Sequence, residues 1–172
     1  SDLQFVHFLL GPATVALTIP LYTQIRRVRT MLLPVVAGLL AGSATAALSA
    51  VAVARLLGAS PATQLSLAPK SVTAGVAMGI AESIGGDPSF AAVAVILTGI
   101  IGAIVVTPLM NRLRISDFRA RGFALGLTSH GIGTARAFQV NAIAGAFAGI
   151  AMSLNALLTS LLVPLAATLL LR

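Results

Sequence analysis

The sequence predicts an all-α membrane protein, a polytopic bundle of transmembrane helices, from its composition and from three long uncharged stretches. Hydrophobic residues make up 58% of its 172 positions, charged residues make up 9%, and the mean hydropathy is +1.02. Charged residues are usually about a quarter of a soluble domain. The ranges 31–54, 88–111 and 137–171 contain no charged residue, and each exceeds the roughly 20 residues that a helix needs to cross a bilayer.

These stretches are typical of helices rather than of barrel strands. Barrel strands alternate polar and apolar residues, whereas Ala, Leu, Val, Ile and Gly follow one another here in continuous runs. A soluble helix bundle would need a polar face on each helix. Six hydrophobic segments are therefore predicted in a single transmembrane domain that fills residues 1–172, at 3–22, 31–57, 61–84, 88–110, 121–138 and 145–171.

Two further polar side chains are of interest in the largely apolar first and sixth segments. Thr14 follows the Gly11-Pro12 interruption of the first segment, and Asn155 is a lone amide in the sixth. Polar side chains in membrane helices often hydrogen-bond to a neighbouring helix. Both residues are predicted either to make such a bond or to line a cavity.

Small residues four positions apart occur in the second and sixth segments, as Gly38-x-x-x-Gly42 and Gly145-x-x-x-Gly149. This spacing lets two membrane helices approach closely. A homo-oligomer, with a dimer favoured, is the prediction that follows.

The basic residues are concentrated in two loops between segments. The first loop contains Arg26, Arg27 and Arg29, and the second contains Arg112, Arg114, Arg119 and Arg121. Basic loops between membrane spans usually lie on the cytoplasmic side. Both loops are predicted to be cytoplasmic, and the net charge of +7 is explained without a nucleic acid partner.

The third segment, 61–84, is predicted to be broken or re-entrant. If it crossed the membrane fully, the Arg112–Arg121 loop would lie on the opposite side from Arg26–Arg29, against the charge rule. If it enters and returns on one side, both loops are cytoplasmic. The third and fifth segments would then enter from opposite faces, as paired broken helices do in secondary transporters. The two resemble each other only weakly, so an inverted-repeat arrangement is left open.

Residues 66–73, Ser-Leu-Ala-Pro-Lys-Ser-Val-Thr, are the first candidate site. Pro69 interrupts the helix, and the helix start after it is suited to a carboxylate because its amides carry partial positive charge. Lys70 is the only lysine of the chain, and a charge inside the membrane usually has a function. Lys70, Ser71 and Thr73 are predicted to bind an anionic substrate; a lysine that reaches the membrane surface is the structural alternative.

Glu82 is the only acidic residue within a hydrophobic segment. It could take up a proton, but it also lies close to the Gly85-Gly86 turn, where a solvated carboxylate is ordinary. Both interpretations are kept.

Residues 129–134 of the fifth segment, Ser-His-Gly-Ile-Gly-Thr, are the second candidate site. The glycines permit an unwound backbone with free amides, and His130 could relay a proton or donate to a substrate. A guanidinium suits bidentate carboxylate binding, which makes Arg136 a further candidate. The predicted ligands here are His130, Gly131, Gly133, Thr134 and Arg136.

Enzyme classes with recognisable residue sets are not indicated. The chain has no cysteine and only two distant histidines, a poor set of metal ligands. It has no Gly-x-Ser-x-Gly nucleophile motif. No catalytic residue, metal or cofactor is predicted.

The chain resembles the LrgB/CidB/YohK family of bacterial membrane proteins and, through it, the C-terminal half of the plastid glycolate/glycerate translocator. The motifs that carry the resemblance span nearly the whole chain: residues 10–17 with 20–22, 66–73, 97–102, 120–122 and 130–135. Two positions depart from the family pattern: Ala74-Gly75 stands where Thr-Pro is common, and Gln139 and Asn141 stand where a glutamate tends to precede Gly-Ala-Phe. The resemblance implies further N-terminal helices in complete members.

The resemblance implies two functions in the bacterial cytoplasmic membrane. One is a carrier of small carboxylates such as pyruvate, glycolate or glycerate. The other is a holin-like or antiholin-like regulator of murein hydrolase activity and lysis, acting with a small LrgA/CidA-type partner. The residues themselves favour the carrier: Lys70 would hold the carboxylate, Ser71, Thr73 and Thr134 the other oxygens, and His130 or Glu82 would couple a proton.

Overall fold

The computed structural model describes residues 30–170, which form six α-helices and no strand. The helices are α1 Leu32–Leu56, α2 Pro61–Leu67, α3 Ala74–Ser83, α4 Pro88–Arg112, α5 Phe118–Val140 and α6 Ala142–Leu170. The predicted first segment, Thr14 and the Arg26–Arg29 loop lie outside the described residues. The other five predicted segments correspond to these six helices, because the third is divided in two.

Three helices, α1, α4 and α6, are long and apolar enough to cross a membrane. Their outward faces expose large apolar side chains, such as Leu33 at 81%, Ile104 at 69% and Leu161 at 72%. Such surfaces are unfavourable in water and are expected against lipid. The predicted all-α membrane bundle is confirmed.

The start of α1, the end of α4 and the start of α5 lie together at one end of the bundle, which we call the basic end. The Arg119 guanidinium approaches the Met31 sulfur at 3.7 Å, and Arg121 donates to the Asn111 amide oxygen. At the start of α5, hydrogen bonds from Arg119 lower the pKa of Asp117 to about 2, so Asp117 is ionised at neutral pH. The end of α1 and the start of α4 therefore lie at the opposite end, which we call the far end.

The third predicted segment is broken, as expected, into α2 and α3. Their 7 and 10 residues give helices of only about 10 and 15 Å, too short to cross a bilayer. The backbone amide of Asp87 donates to the Ser66 hydroxyl at 2.6 Å, so the chain returns to α2 after it leaves α3. Because α1 ends and α4 begins at the far end, this segment enters and returns there. We call α2 and α3 hairpin 1, with residues 68–73 as its tip.

The fifth predicted segment is also broken, and it reverses direction. The backbone of α5 leaves helical geometry at Ser129 (φ −126°, ψ 15°) and His130 (φ 42°, ψ −131°). Phe118 and Val140 line the same small cavity, although a straight helix would separate them by about 33 Å. Residues 131–140 therefore run back alongside residues 118–128. This segment enters the bundle at the basic end and returns there. We call α5 hairpin 2, with residues 127–134, the break and the turn on either side of it, as its tip.

Glycines allow hairpin 2 to pack closely against its neighbours. A Cβ at Gly122 or Gly126 would collide with the backbone of Ala144 or Ala148 on α6, and one at Gly145 would collide with the Phe138 ring. Such close helix contacts are what small residues permit.

The Gly38-x-x-x-Gly42 pattern packs inside this chain as well. Gly38 faces the Phe123 ring, and Gly42 faces the Leu127 side chain of hairpin 2. The pattern therefore serves an internal helix contact. These two glycines therefore give no support for a dimer, and the dimer stays a prediction.

Candidate functional site

The tips of the two hairpins meet at one buried side chain, Asn155 of α6. Its amide nitrogen donates to the Ser71 carbonyl at 3.2 Å and to the Leu127 carbonyl at 3.0 Å. Asn155 is 1% exposed and lies about 20 Å along α6 from its start at Ala142, near the middle of the helix. Two interrupted segments that enter from opposite ends thus meet at about the middle of the bundle.

A short chain of hydrogen bonds joins Asn155 to α1. The Thr159 hydroxyl donates to the Asn155 amide oxygen at 3.3 Å, and it pairs at 3.3 Å with the Ser43 hydroxyl. All three side chains are buried. Asn155 is therefore held from the side opposite the hairpin tips.

The tip of hairpin 1 contains polar groups without partners among residues 30–170. The Ser71 hydroxyl is buried and makes no hydrogen bond there. Thr73 precedes α3 without capping it through its side chain. Lys70, directly before Ser71 in the chain, is half-buried. These three predicted ligands lie together in the sequence and in the fold.

The first turn of α3 adds backbone donors to this tip. The first amides of a helix, here those that follow Thr73, have no partner within the helix. They carry partial positive charge, which stabilises a nearby anion. With the Lys70 ammonium and the Ser71 hydroxyl, the tip of hairpin 1 has the donors that a carboxylate requires.

The tip of hairpin 2 is built around His130. The His130 ring is buried, and its Nε2 lies 2.8 Å from the Val95 carbonyl of α4. Its backbone angles match the first central residue of a type II′ turn, a position that favours glycine. The Thr134 hydroxyl donates to the His130 carbonyl at 2.8 Å. Hairpin 2 therefore holds the imidazole against α4, and Nδ1 makes no hydrogen bond within residues 30–170.

Two glycines of α4 make room for this tip. A Cβ at Gly99 would lie 2.7 Å from the His130 ring, and a Cβ at Gly102 would collide with the Ser129 side chain. The two predicted glycines of hairpin 2 differ from each other: Gly133 is buried against Leu125, whereas the Cβ position of Gly131 is open. Gly133 has a packing role that the sequence did not reveal.

Two predicted site residues lie away from the tips. Arg136 is in the second arm of hairpin 2 and donates to the Gln139 side chain at 3.3 Å. Glu82 is exposed near the end of α3, twelve positions from Lys70. The structure therefore brings together Lys70, Ser71 and Thr73 at one tip and His130 and Thr134 at the other, without Arg136 or Glu82.

The central position of Asn155 is the feature that sequence reasoning missed. The available signal was a lone amide in a long uncharged segment, which predicted a hydrogen bond or a cavity wall. Its two partners are backbone carbonyls, and a sequence gives no indication of which carbonyls a side chain will meet.

A groove leads toward each tip from one end of the bundle. The groove at the basic end, about 360 Å³, runs from Asp117 and Arg119 to Leu127 and Thr128. The groove at the far end, about 280 Å³, includes Arg55 and reaches Ala68 in the tip of hairpin 1. Each hairpin tip is thus approached by a separate groove.

Titratable side chains within residues 30–170 form no cluster of three or more that could hold a metal ion. The donors at the tips are an ammonium, hydroxyls, an imidazole and backbone amides. This set is suited to an organic anion.

Comparison with known proteins gives one family match. The model of the LrgB-like family matches residues 1–169. Two relatives from Bacillus subtilis (strain 168) are uncharacterized protein YwbG, 36% identical over 88% of this chain and 67% of its own length, and uncharacterized protein YxaC, 36% identical over 94% and 70%. The antiholin-like protein LrgB of Bacillus cereus (strain B4264) is 29% identical over 94% of this chain and 70% of its own length. No solved structure matches.

Proposed function

This chain belongs to the LrgB-like family, and from the meeting of its two hairpin tips we propose that it is a secondary carrier of small carboxylates. The observation that supports the proposal is the pair of hydrogen bonds from Asn155 to Ser71 and Leu127. Secondary carriers bind their substrates near the bilayer midplane, where interrupted helices from two halves of the protein meet. The two hairpins of this chain have that arrangement.

The chemistry of the tip of hairpin 1 supports an anionic substrate. A buried hydroxyl without a partner costs about 1–3 kcal/mol, and the Ser71 hydroxyl is such a group within the described residues. A carboxylate would accept from Ser71, from the first amides of α3 and from the Lys70 ammonium. Thr73 and Thr134 would contact the remaining oxygens of the substrate.

The charge at the tips supports a monocarboxylate. Among the described residues, the tips contribute one cation, Lys70, and no carboxylate. A second carboxylate would lack a counter-charge, and so would the ammonium of an amino acid. Small 2-oxo and 2-hydroxy acids of the pyruvate, glycolate and glycerate class meet this requirement.

Proton coupling through His130 is the further part of this proposal. His130 is in a tip, whereas Glu82 is exposed at the base of hairpin 1. Of the two predicted candidates, His130 is the one close to the proposed substrate. The protein would act in the bacterial cytoplasmic membrane, with the basic end toward the cytoplasm.

Uptake of labelled pyruvate and glycolate into proteoliposomes tests the carrier. We expect Lys70→Ala to lower the initial rate of uptake at least tenfold at equal incorporation, because the carboxylate loses its counter-charge. Arg114→Ala, which removes an exposed loop cation, is the matched control and should keep the parental rate. Equal rates for the parent and Lys70→Ala would overturn the proposed site.

The names of relatives favour a second candidate, an antiholin-like protein. The Bacillus cereus relatives are named antiholin-like protein LrgB. Release of labelled sucrose from loaded proteoliposomes separates the carrier from a holin-like protein. A carrier retains this uncharged solute, whereas a protein that forms holes releases it.

A further inference from the structure

We propose that Asn155 is a positioning residue that holds both hairpin tips closed, a shared latch of the transport cycle. The inference rests on the proposed carrier function for its purpose, since a carrier must not open to both sides at once. It goes beyond the substrate site, because Asn155 acts on the backbone of the tips and not on the substrate.

The first argument is that each of the two bonds satisfies a carbonyl that the hairpins leave open. In an uninterrupted helix the Leu127 carbonyl would accept from the amide four residues later, but the chain reverses at Ser129 and His130. The Ser71 carbonyl lies in the non-helical tip of hairpin 1. Backbone groups without partners are costly inside a bilayer. Asn155 supplies the missing donor to both.

The second argument is that the orientation of the amide is determined by its partners. A backbone carbonyl can only accept, so the nitrogen of Asn155, with its two hydrogens, must face Ser71 and Leu127. The oxygen then faces Thr159, whose hydroxyl donates to it and is paired with Ser43 of α1. The latch is therefore anchored to α1 and α6, outside both hairpins.

The consequence is that the movements of the two hairpin tips are linked through Asn155. Either tip can move away from α6 only by breaking its own hydrogen bond, while Asn155 keeps its bond to the other tip. Loss of the two donors should release both tips, and loss of the anchor at Thr159 should loosen both to a smaller degree.

Water access to buried reporters tests the latch without any substrate. The chain has no cysteine, so Val72→Cys and Ser129→Cys place one thiol in each tip at positions that are 1% exposed. In proteoliposomes, we expect Asn155→Asp to raise the rate of maleimide labelling about tenfold at both reporters. The matched control is Asn141→Asp: Asn141 uses only its oxygen, as an acceptor for the amides of Ile143 and Ala144, and aspartate keeps this role, so both rates should stay within twofold.

Asn155→Asp overturns the latch if it changes neither rate or only one of them. If this variant does not fold, Thr159→Val provides the second measurement, because it keeps both donors and removes the hydroxyl that holds the amide oxygen. We then expect a rise of about threefold at both reporters, and parental rates would contradict the proposal. Failure of the carrier function would be seen separately, as absent carboxylate uptake by the parent with unchanged labelling results.

Discussion

At the scale of single residues, the tip of hairpin 2 combines a buried imidazole with a backbone conformation that favours glycine. The φ of His130 is 42°, and a residue held in such a region costs about 1–3 kcal/mol unless it is glycine. The imidazole is held there by the Val95 carbonyl. Strained residues of this kind are found mainly at functional sites.

Two substitutions at His130 distinguish the effect of the strained backbone from the effect of the imidazole. Both His130→Gly and His130→Ala lose the bond to Val95, but only glycine relieves the backbone. We expect His130→Gly to be more stable than His130→Ala by roughly 1 kcal/mol, measured as the thermal denaturation midpoint in detergent by circular dichroism. Proton-coupled uptake should be lost in both. Equal midpoints would contradict a strained backbone at this position.

Gly99 is predicted to be required for the space that this imidazole occupies. A methyl group at Gly99 would lie 2.7 Å from the His130 ring, whereas nothing lies within 4 Å of one at Gly79, in α3. Overpacking costs about 1–3 kcal/mol, so Gly99→Ala should lower the denaturation midpoint. Gly79→Ala should leave it unchanged or raise it, because alanine favours a helix. A parental midpoint for Gly99→Ala would show that the ring can move aside.

The sequence identified polar residues that the structure places in the tips, but it did not identify their contacts. Lys70 and His130 were identified because charged and titratable groups are unusual in apolar segments, and Ser71 because its hydroxyl stands beside Lys70. The alignment of Gly99 with His130, and of Asn155 with two carbonyls, depends on how helices distant in sequence pack. One sequence contains no direct signal of such pairings.

At the scale of secondary structure elements, Pro69 predicted the break between α2 and α3, and the charge rule predicted that the segment would return to the side it entered. The fifth segment was predicted to be interrupted, and whether it spans the membrane or re-enters was left open. The distinction depends on the backbone at one residue, His130, and a positive φ is uncommon at any residue other than glycine, even though histidine adopts it more often than most. The reversal was therefore beyond what composition and spacing could predict.

Hairpin 1 is predicted to depend on the Ser66 hydroxyl near the end of α2. The fully buried Ser66 accepts from the Asp87 amide and donates to the Ala62 carbonyl. Ser66→Ala leaves the Asp87 amide without its acceptor, a cost of about 1–3 kcal/mol. We expect a lower denaturation midpoint and faster hydrogen exchange in α2 and α3.

Ser83→Ala is the control for this substitution. The exposed Ser83 bonds only to the Ile80 carbonyl within its own helix, so its removal should change the free energy of unfolding by less than about 0.5 kcal/mol. Similar exchange rates in Ser66→Ala and Ser83→Ala would show that the contact at Asp87 does not hold the hairpin.

At the scale of the whole molecule, the re-entrant course of hairpin 1 places the ends of α1 and α4 at opposite ends of the bundle. Arg112 is the last residue of α4, and Arg114 lies two positions after it. Both mark the basic end, which is predicted to be cytoplasmic. The structure supports the relative placement of the helix ends, and the side of the membrane stays a prediction.

Two cysteine substitutions of matched chemistry test this orientation. Leu57 and Leu113 are exposed at the far end and the basic end, and neither substitution removes an arginine. In intact cells, an impermeant maleimide should label Leu57→Cys but not Leu113→Cys, whereas both should react after permeabilisation. Labelling of Leu113→Cys alone in intact cells would reverse the predicted orientation.

The place of Asn155 in the chain bears on how the protein is made. Hairpin 1 and hairpin 2 are both synthesised before residue 155 leaves the ribosome, yet each depends on that amide for a backbone partner. Neither hairpin can complete its hydrogen bonding during insertion until α6 has joined them. A nascent chain interrupted before Asn155 would hold two unfinished re-entrant loops in the lipid, a form that membrane quality control can recognise and degrade.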